Sequence, residues 1–307
     1  MVFLLDSLVV QTKVRDGRFR GLRLSWLTGL MHLRERGIEI KTRDQIDKMR
    51  VAGRLVGESL ELMRAAVRPG VTTGDLDRIA EQHIRSQGGV PSFLGYGHPP
   101  FPGTICASVN HEVVHGIPGD RVLVEGDVVS LDCGAIVDGW HGDAAITVAV
   151  GGPDAVSEDV RRLLQVTEDS LWAGIAAARL GGRLSDISHA VESHVRGQGD
   201  YGILEDYVGH GIGTEMHQPP NVPNVGRPGR GPKLVEGLAL AVEPMVTLGG
   251  KETDLAEDEW TVVTSDGSRA AHFEHTFTLT VNGPWVLTAL DGGEARLTEL
   301  GAPYGGR

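Results

Sequence analysis

Two aspartates stand on one short stretch, LDCGAIVDGWHGDAAITV at 131–148, at a spacing that lets their carboxylates converge. Asp138-Gly139 supplies a two-residue turn that tolerates positive φ at both positions, so the flanks predict a β-hairpin in which Val137 opposes Trp140. In that register Asp132 faces Ala145 and Asp143 faces Gly134. The two acids are then diagonal neighbours on one face, roughly 7–8 Å apart at the backbone. That face reads Ser130, Asp132, Gly134, Ile136, His141, Asp143, Ala145, Thr147. The other reads Val129, Leu131, Cys133, Ala135, Val137, Ala144, Ile146, Val148, Val150, which is a core pattern. Two chemistries fit the acidic face. One is a half-solvated hairpin; the other is a pair of divalent ions, which in two-metal sites lie roughly 3.5–4 Å apart. The hairpin alone leaves both open.

An internal repeat decides between them. VRPGVTTGDLDRIAEQHIRSQG at 67–88 returns as ARLGGRLSDISHAVESHVRGQG at 178–199. Arg68, Gly70, Asp75, Glu81, His83, Arg85, Gln87 and Gly88 recur, in step, as Arg179, Gly181, Asp186, Glu192, His194, Arg196, Gln198 and Gly199. Each copy predicts a glycine-bearing turn and an amphipathic helix that ends at glycine, and its histidines need no catalytic explanation. The same offset lays VEGDVVSLD at 124–132 over VEGLALAVE at 235–243, so Asp132 maps onto Glu243. A second alignment lays HGDAAITVAV at 141–150 over HFEHTFTLTV at 272–281, so Asp143 maps onto Glu274. Two halves related by a pseudo-twofold axis would bring four carboxylates face to face. Their repulsion calls for cations.

The surrounding chain sets the bounds. Its 307 residues, 40% hydrophobic, suffice for one large domain, and the net charge of −12 argues against nucleic acid as the main partner. No apolar run spans a bilayer and no polybasic patch suggests a membrane surface. The two cysteines, Cys106 and Cys133, form neither a disulfide framework nor a zinc motif, which favours a cytoplasmic location. Residues 1–41 carry scattered arginines without periodicity and read as a loosely ordered extension, with Met31 as an alternative start. From Thr42, a capping box with Gln45 and the spacing of Ile46, Met49, Leu55, Val56, Leu60 and Met63 predict a long helix. One domain is expected over 42–290, its halves about 67–150 and 178–281, with 291–307 a C-terminal tail.

Histidines complete the inventory. His115 lies in VVHGIPG, and His210 and His217 in VGHGIGTEMHQPP, where glycines on both sides of His210 suit close backbone approach. Imidazole beside carboxylate, with a position left for water, is a hydrolytic metal chemistry.

With these residues assembled, the chain resembles the type I methionine aminopeptidases in NHEVVHGIP, SLDCGAIVDGWHGD, VGHGIGTEMHQPP, ALAVEPM and AHFEHTFTLT, over roughly 42–290. The resemblance implies an α+β pita-bread fold, two pseudo-twofold halves with an antiparallel sheet and flanking helices. It implies two divalent ions (Co, Mn, Fe or Zn) on Asp132, Asp143, His210, Glu243 and Glu274, with Asp143 and Glu274 bridging. It implies removal of the initiator methionine from nascent proteins when the second residue is small, by a metal-bridging hydroxide. His217 would stabilise the oxyanion, His115 would contact the next amide, and Glu243 would move protons. The methionine pocket would fall to Tyr96, Phe101, Cys106 and Trp260, with Phe93 equally explicable as core. The segment from Phe93 to Cys106 is longer than the family's pattern, and His272 stands where the family commonly has glutamine. Partners would be the N-terminal peptides of nascent chains, with transient ribosome association.

Three rivals share the fold. An aminopeptidase P or prolidase carries a large N-terminal domain for which residues 1–41 leave no room. A type II enzyme needs an insertion that the stretch from Glu243 to Glu274 is too short to hold. A metal-free binding protein is expected to have lost ligands, and all five are present.

Overall fold

The computed structural model describes residues 37–306. The expected first 36 residues of the extension, with Met31, lie outside them. Five α-helices are described: α1 (Arg43–Ala66), α2 (Thr73–Ser86), α3 (Glu158–Ala177), α4 (Leu184–Gln198) and α5 (Glu294–Glu299). The strands before α3 are β1 (Val90–Pro91), β2 (Ile105–Val109), β3 (Glu112–Val114), β4 (Val128–Val137) and β5 (Trp140–Ala149). After α4 come β6 (Gly202–Ile203), β7 (Gly209–Gly211), β8 (Gln218–Val222), β9 (Ala239–Val242) and β10 (Met245–Thr247). The remainder are β11 (Thr253–Leu255), β12 (Val262–Thr264), β13 (Ala270–His272), β14 (Glu274–Thr280) and β15 (Gly283–Val286).

The helices start where their side chains cap them. Thr42 Oγ1 accepts from Gln45 N–H at 3.4 Å while Gln45 Oε1 accepts from Thr42 N–H at 2.8 Å, the predicted capping box. The repeated residues have local duties of the same kind. Asp75 accepts from Thr72 N–H at 2.9 Å, and Asp186 from Arg183 N–H at 2.8 Å. Arg85 pairs with Glu81 and Arg196 with Glu192 one turn apart, each at 2.8 Å. Repetition here preserves a helix start and a surface ion pair, and His83 and His194 ride half-buried on the same helices.

Nine strands form the main antiparallel sheet, in the order β1-β4-β5-β14-β9-β7-β8, with β2 on β4 and β15 on β14. β4 and β5 pair from Val137–Trp140 outward, and Asp138 (φ 49°) and Gly139 (φ 78°) make the predicted turn. The pseudo-twofold relation is visible at the centre. β5 meets β14 with Glu274 opposite Ala145, and in the same register Thr276 Oγ1 donates to Asp143 O at 2.8 Å. α1 packs on β4 and β5 and against α2, and α3 packs on β9 and β14 and against α4. Gly142 lies where α1 crosses β5, and a Cβ there would strike the backbone of Gly53 and Ala52, while a Cβ on Gly53 would strike the Leu287 carbonyl. This is the α+β pita-bread architecture that the resemblance implies.

Val129, Leu131, Cys133, Ala135, Ala144, Ile146 and Val150 all enter the main core, as the alternation predicts. The other hairpin face is not half-solvated. Ser130, Asp143, Ala145 and Thr147 are buried as well, because Ser92 and Phe93 lie over Gly134 and the backbone of His272 bonds Thr147. Two boundary readings need correction. Residues 37–41 belong to the packed structure: Ile40 bridges Leu238 and Lys41 N–H donates to Gly237 O at 2.9 Å. Residues 291–306 are not a loose tail either. α5 buries Leu297, Arg296 pairs with Asp169, and Gly305 N–H donates to Pro284 O at 2.8 Å.

Candidate active site

The acids are placed by sheet register. Asp132 on β4 faces Ala145 on β5, and Ala145 faces Glu274 at the start of β14, so the three lie in one row across the sheet. Asp143 stands two residues before Ala145 on the same face of β5. A methyl group between flanking acids leaves the space above it to them. Glu243 follows β9 directly, and its carbonyl accepts from Asn224 Nδ2 at 3.2 Å.

The imidazoles come from other elements. His210 is the middle residue of β7, whose Gly209 and Gly211 admit the backbones of Ala241 and Pro219 where a Cβ would collide. Its Nδ1–H donates to Gly211 O at 3.0 Å, which turns Nε2 toward Glu243 Oε1, 3.6 Å away. His217, in the loop between β7 and β8, stacks edge-on to His210 at 4.3 Å and shares a 2.7 Å hydrogen bond with the Tyr96 hydroxyl. His115, at φ 60°, sets its ring against Tyr207 at 5.8 Å and Trp260 at 6.3 Å.

One pocket gathers every residue singled out above for binding or chemistry. Asp132, Asp143, His210, Glu243, Glu274, His115, His217, Tyr96, Phe101, Cys106 and Trp260 all line it. Phe93 lines it too and is pocket wall rather than ordinary core. Phe101 lies edge-on to Trp260 at 5.1 Å, held by Phe101 N–H donating to Tyr96 O at 2.8 Å, so the long segment from Phe93 to Cys106 still delivers it. Met216 was missed. It closes an apolar cluster with Phe93, Phe101, Cys106 and Trp260, separate from the main core. The only sequence signal was its place beside His217. His272 does not line the pocket; its Nε2 lies 3.8 Å behind Glu243 Oε2.

The electrostatics are those of a charge cluster short of counterions. Burial pushes the Asp132 carboxyl up to about 7. Burial first, and neighbouring carboxylates second, drive Asp143, Glu243 and Glu274 well above the ordinary range. Burial pulls His115 and His210 down to about 4 and His217 well below its usual value, so the imidazoles are neutral. Asp132 Oδ1, Asp143 Oδ1 and Glu274 Oε1 are buried without a hydrogen-bond partner among the described residues. Donor atoms of Asp143, His210 and Glu274 lie within 4.8 Å of one another. Orphaned carboxylate oxygens beside a neutral imidazole fit a divalent metal, and oxygen and nitrogen donors suit Mn, Fe, Co or Zn alike.

Comparison with known proteins agrees with this geometry. The model of metallopeptidase family M24 matches residues 47–281. A methionine aminopeptidase of Clostridium acetobutylicum is 53% identical over 252 residues, covering 82% of this chain and 98% of its own length. Methionine aminopeptidase 1 of Mycobacterium tuberculosis is 51% identical over 250 residues, covering 80% of this chain and 92% of its own. The crystal structure of methionine aminopeptidase from Thermotoga maritima superposes with a TM-score of 0.79 at 42% identity, over 82% of this chain and 99% of that one.

Proposed function

The chain belongs to metallopeptidase family M24, and within it to the methionine aminopeptidases; on that premise we propose that it removes the initiator methionine from nascent proteins whose second residue is small. Asp132, Asp143, His210, Glu243 and Glu274 would hold two divalent ions. Bound there, such ions lower the pKa of a water and polarise the scissile carbonyl, so no protein nucleophile is needed.

The protein's own groups bind, orient and carry protons. The methionine side chain, apolar and polarisable, suits the wall of Tyr96, Phe93, Phe101, Cys106, Met216 and Trp260. Tyr96, through its bond to Nδ1, fixes the ring of His217. A neutral His217 can then donate to the carbonyl oxygen as charge develops there. His115, also neutral, is placed to contact the amide of the second residue. Glu243 would take a proton from water and return it to the leaving amine. Cys133 takes no part, since its thiol faces the core. Among the described residues no helix is long and apolar enough to cross a membrane, and both cysteines are free, which supports a cytoplasmic setting.

The observation that carries the reading is the meeting, in a single pocket, of four acids, three of them with orphaned buried oxygens, and the apolar cluster. Steady-state assays on Met-Gly-Met, Met-Phe-Met and Leu-Gly-Met with added Mn, Fe, Co or Zn test it. Cleavage of the first at more than about ten times the rate of the others is expected, since a hydrophobic pocket discriminates side chains by about 10–200-fold. Equal cleavage of the leucine peptide would remove the methionine specificity and leave only a metallopeptidase.

A further inference from the structure

His217 and Met216 lie in the loop Thr214–Gln218, which is outside any helix and reaches strand only at Gln218. Its position is nevertheless fixed at both ends by one short segment ahead of α1. Thr214 donates to the Glu39 carboxylate twice, through N–H to Oε2 and through Oγ1–H to Oε1, each at 3.2 Å. Gln218 Nε2–H donates to Glu39 Oε2 at 2.8 Å. Lys41 closes the group: its Nζ donates to Glu39 O at 3.0 Å and to Gln218 Oε1 at 3.3 Å, and lies 3.4 Å from Glu39 Oε2. Any side chain at Gly213 would collide with Glu39 Oε2 and the Lys41 stem, so the loop backbone lies directly on this pair.

The Lys41 side chain is 1% exposed. A buried ammonium is costly, and an apolar residue there would serve stability as well or better. What the charged pair supplies instead is one defined place for the loop, since three acceptors around Nζ and three donors around Glu39 fit a single arrangement. The segment is itself tied to the two residues that lead into β9, through Lys41 N–H to Gly237 O and the Ile40–Leu238 bridge. Thus the strand that delivers Glu243 and the loop that delivers His217 share one fastening.

We propose that Glu39 and Lys41 are positioning residues that hold the Thr214–Gln218 loop so that His217 meets the substrate. The proposal rests on the reading of His217 given above. The full chain is compared with Glu39→Ala and Thr214→Val, each made in the wild-type and in the His217→Ala background, by kcat, KM, metal content and melting. A small misplacement of a group that acts on the transition state costs rate rather than binding. Glu39→Ala should therefore lower kcat by about tenfold with KM changed less than about twofold and metal content unchanged. Its effect should shrink to less than about twofold when His217 is already alanine. Thr214→Val, an exposed change that keeps the fold, should show the same pattern more weakly and decides the matter if Glu39→Ala does not fold. Equal losses in both backgrounds, or an unchanged kcat in both variants, would overturn the clamp. A normal kcat in His217→Ala alone is a different result: it removes the role of His217, and the purpose of the clamp with it.

Discussion

The two halves of the molecule carry the same acids on differently built scaffolds. In the first, Asp132 and Asp143 stand on β4 and β5, joined by a two-residue turn. In the second, Glu243 and Glu274 stand at the end of β9 and the start of β14, and β10, β11, β12 and β13 lie between them. In the first half the two acid-bearing strands follow one another directly. The second has been opened, and the added chain brings Trp260 to the pocket, its backbone fixed by Asp258 through bonds of 2.9 Å and 2.8 Å to Trp260 and Thr261 N–H. A duplicated frame thus carries the four acids proposed as metal ligands, and the departure from symmetry adds Trp260 to a wall that Phe93, Tyr96, Phe101, Cys106 and Met216 already form.

The largest expected effect comes from breaking the symmetric part. Glu274→Ala removes a carboxylate at the centre of the sheet. It should lose at least half the bound metal and lower kcat/KM by more than about 10³-fold, since even partners outside a metal's ligand set cost about 10–100-fold. Metal analysis beside steady-state kinetics checks it, and retention of both ions would contradict the ligand assignment. Next comes His217→Ala, which should keep its metal while kcat falls about 10²–10³-fold, as for other oxyanion donors. Loss of metal in that variant would make His217 a ligand.

A pH series sharpens the same point. In the metal-free protein Asp132 holds its proton below about 7, so an incoming ion must displace it. Apparent affinity should fall about tenfold per pH unit per displaced proton below that value. His210 titrates at about 4 and does not compete above pH 5. In the metal-free fold alone, raised carboxyl pKa values lower stability as pH rises from about 4 to about 7. Depressed histidines act oppositely, lowering stability as pH falls from about 6.5 toward 4. The difference between metal-loaded and metal-free melting temperatures isolates the acids. It should be largest near pH 8 and shrink toward pH 5.5; a difference that does not change with pH would mean no carboxyl proton is displaced.

The asymmetric part should yield smaller, cleaner effects. Trp260→Ala should leave metal content intact and weaken selection of methionine over smaller side chains by about 1–3 kcal/mol, read as relative kcat/KM on Met-Gly-Met and Ala-Gly-Met. Smallest of all, a chain begun at Met31 keeps the Glu39–Lys41 fastening and should match the full chain in kcat within about twofold, where ordinary surface changes fall. A large loss would show that the first 30 residues do more than their sequence suggests.

Much of this was legible because a few residues fix geometry locally. Asp138-Gly139 sets the hairpin register, the register puts Asp132 and Asp143 on one face, and the repeat carries both onto Glu243 and Glu274. What escaped has no local rule. Glu39 and Lys41 read as more of a charged tail, because their partners Thr214 and Gln218 lie far along the chain. Met216 carries no period that separates a pocket methionine from a core one. The C-terminal turn of helix needed the bond from Gly305 to Pro284 and the Arg296–Asp169 pair, neither of which spacing reveals.

Anomalous diffraction from crystals grown with manganese, recorded at the manganese edge, tests the central claim most directly. Two peaks should appear inside the ring of Asp132, Asp143, His210, Glu243 and Glu274, and at least one should vanish in Glu274→Ala. A single peak would reduce the centre to one ion; none within that ring would contradict the account.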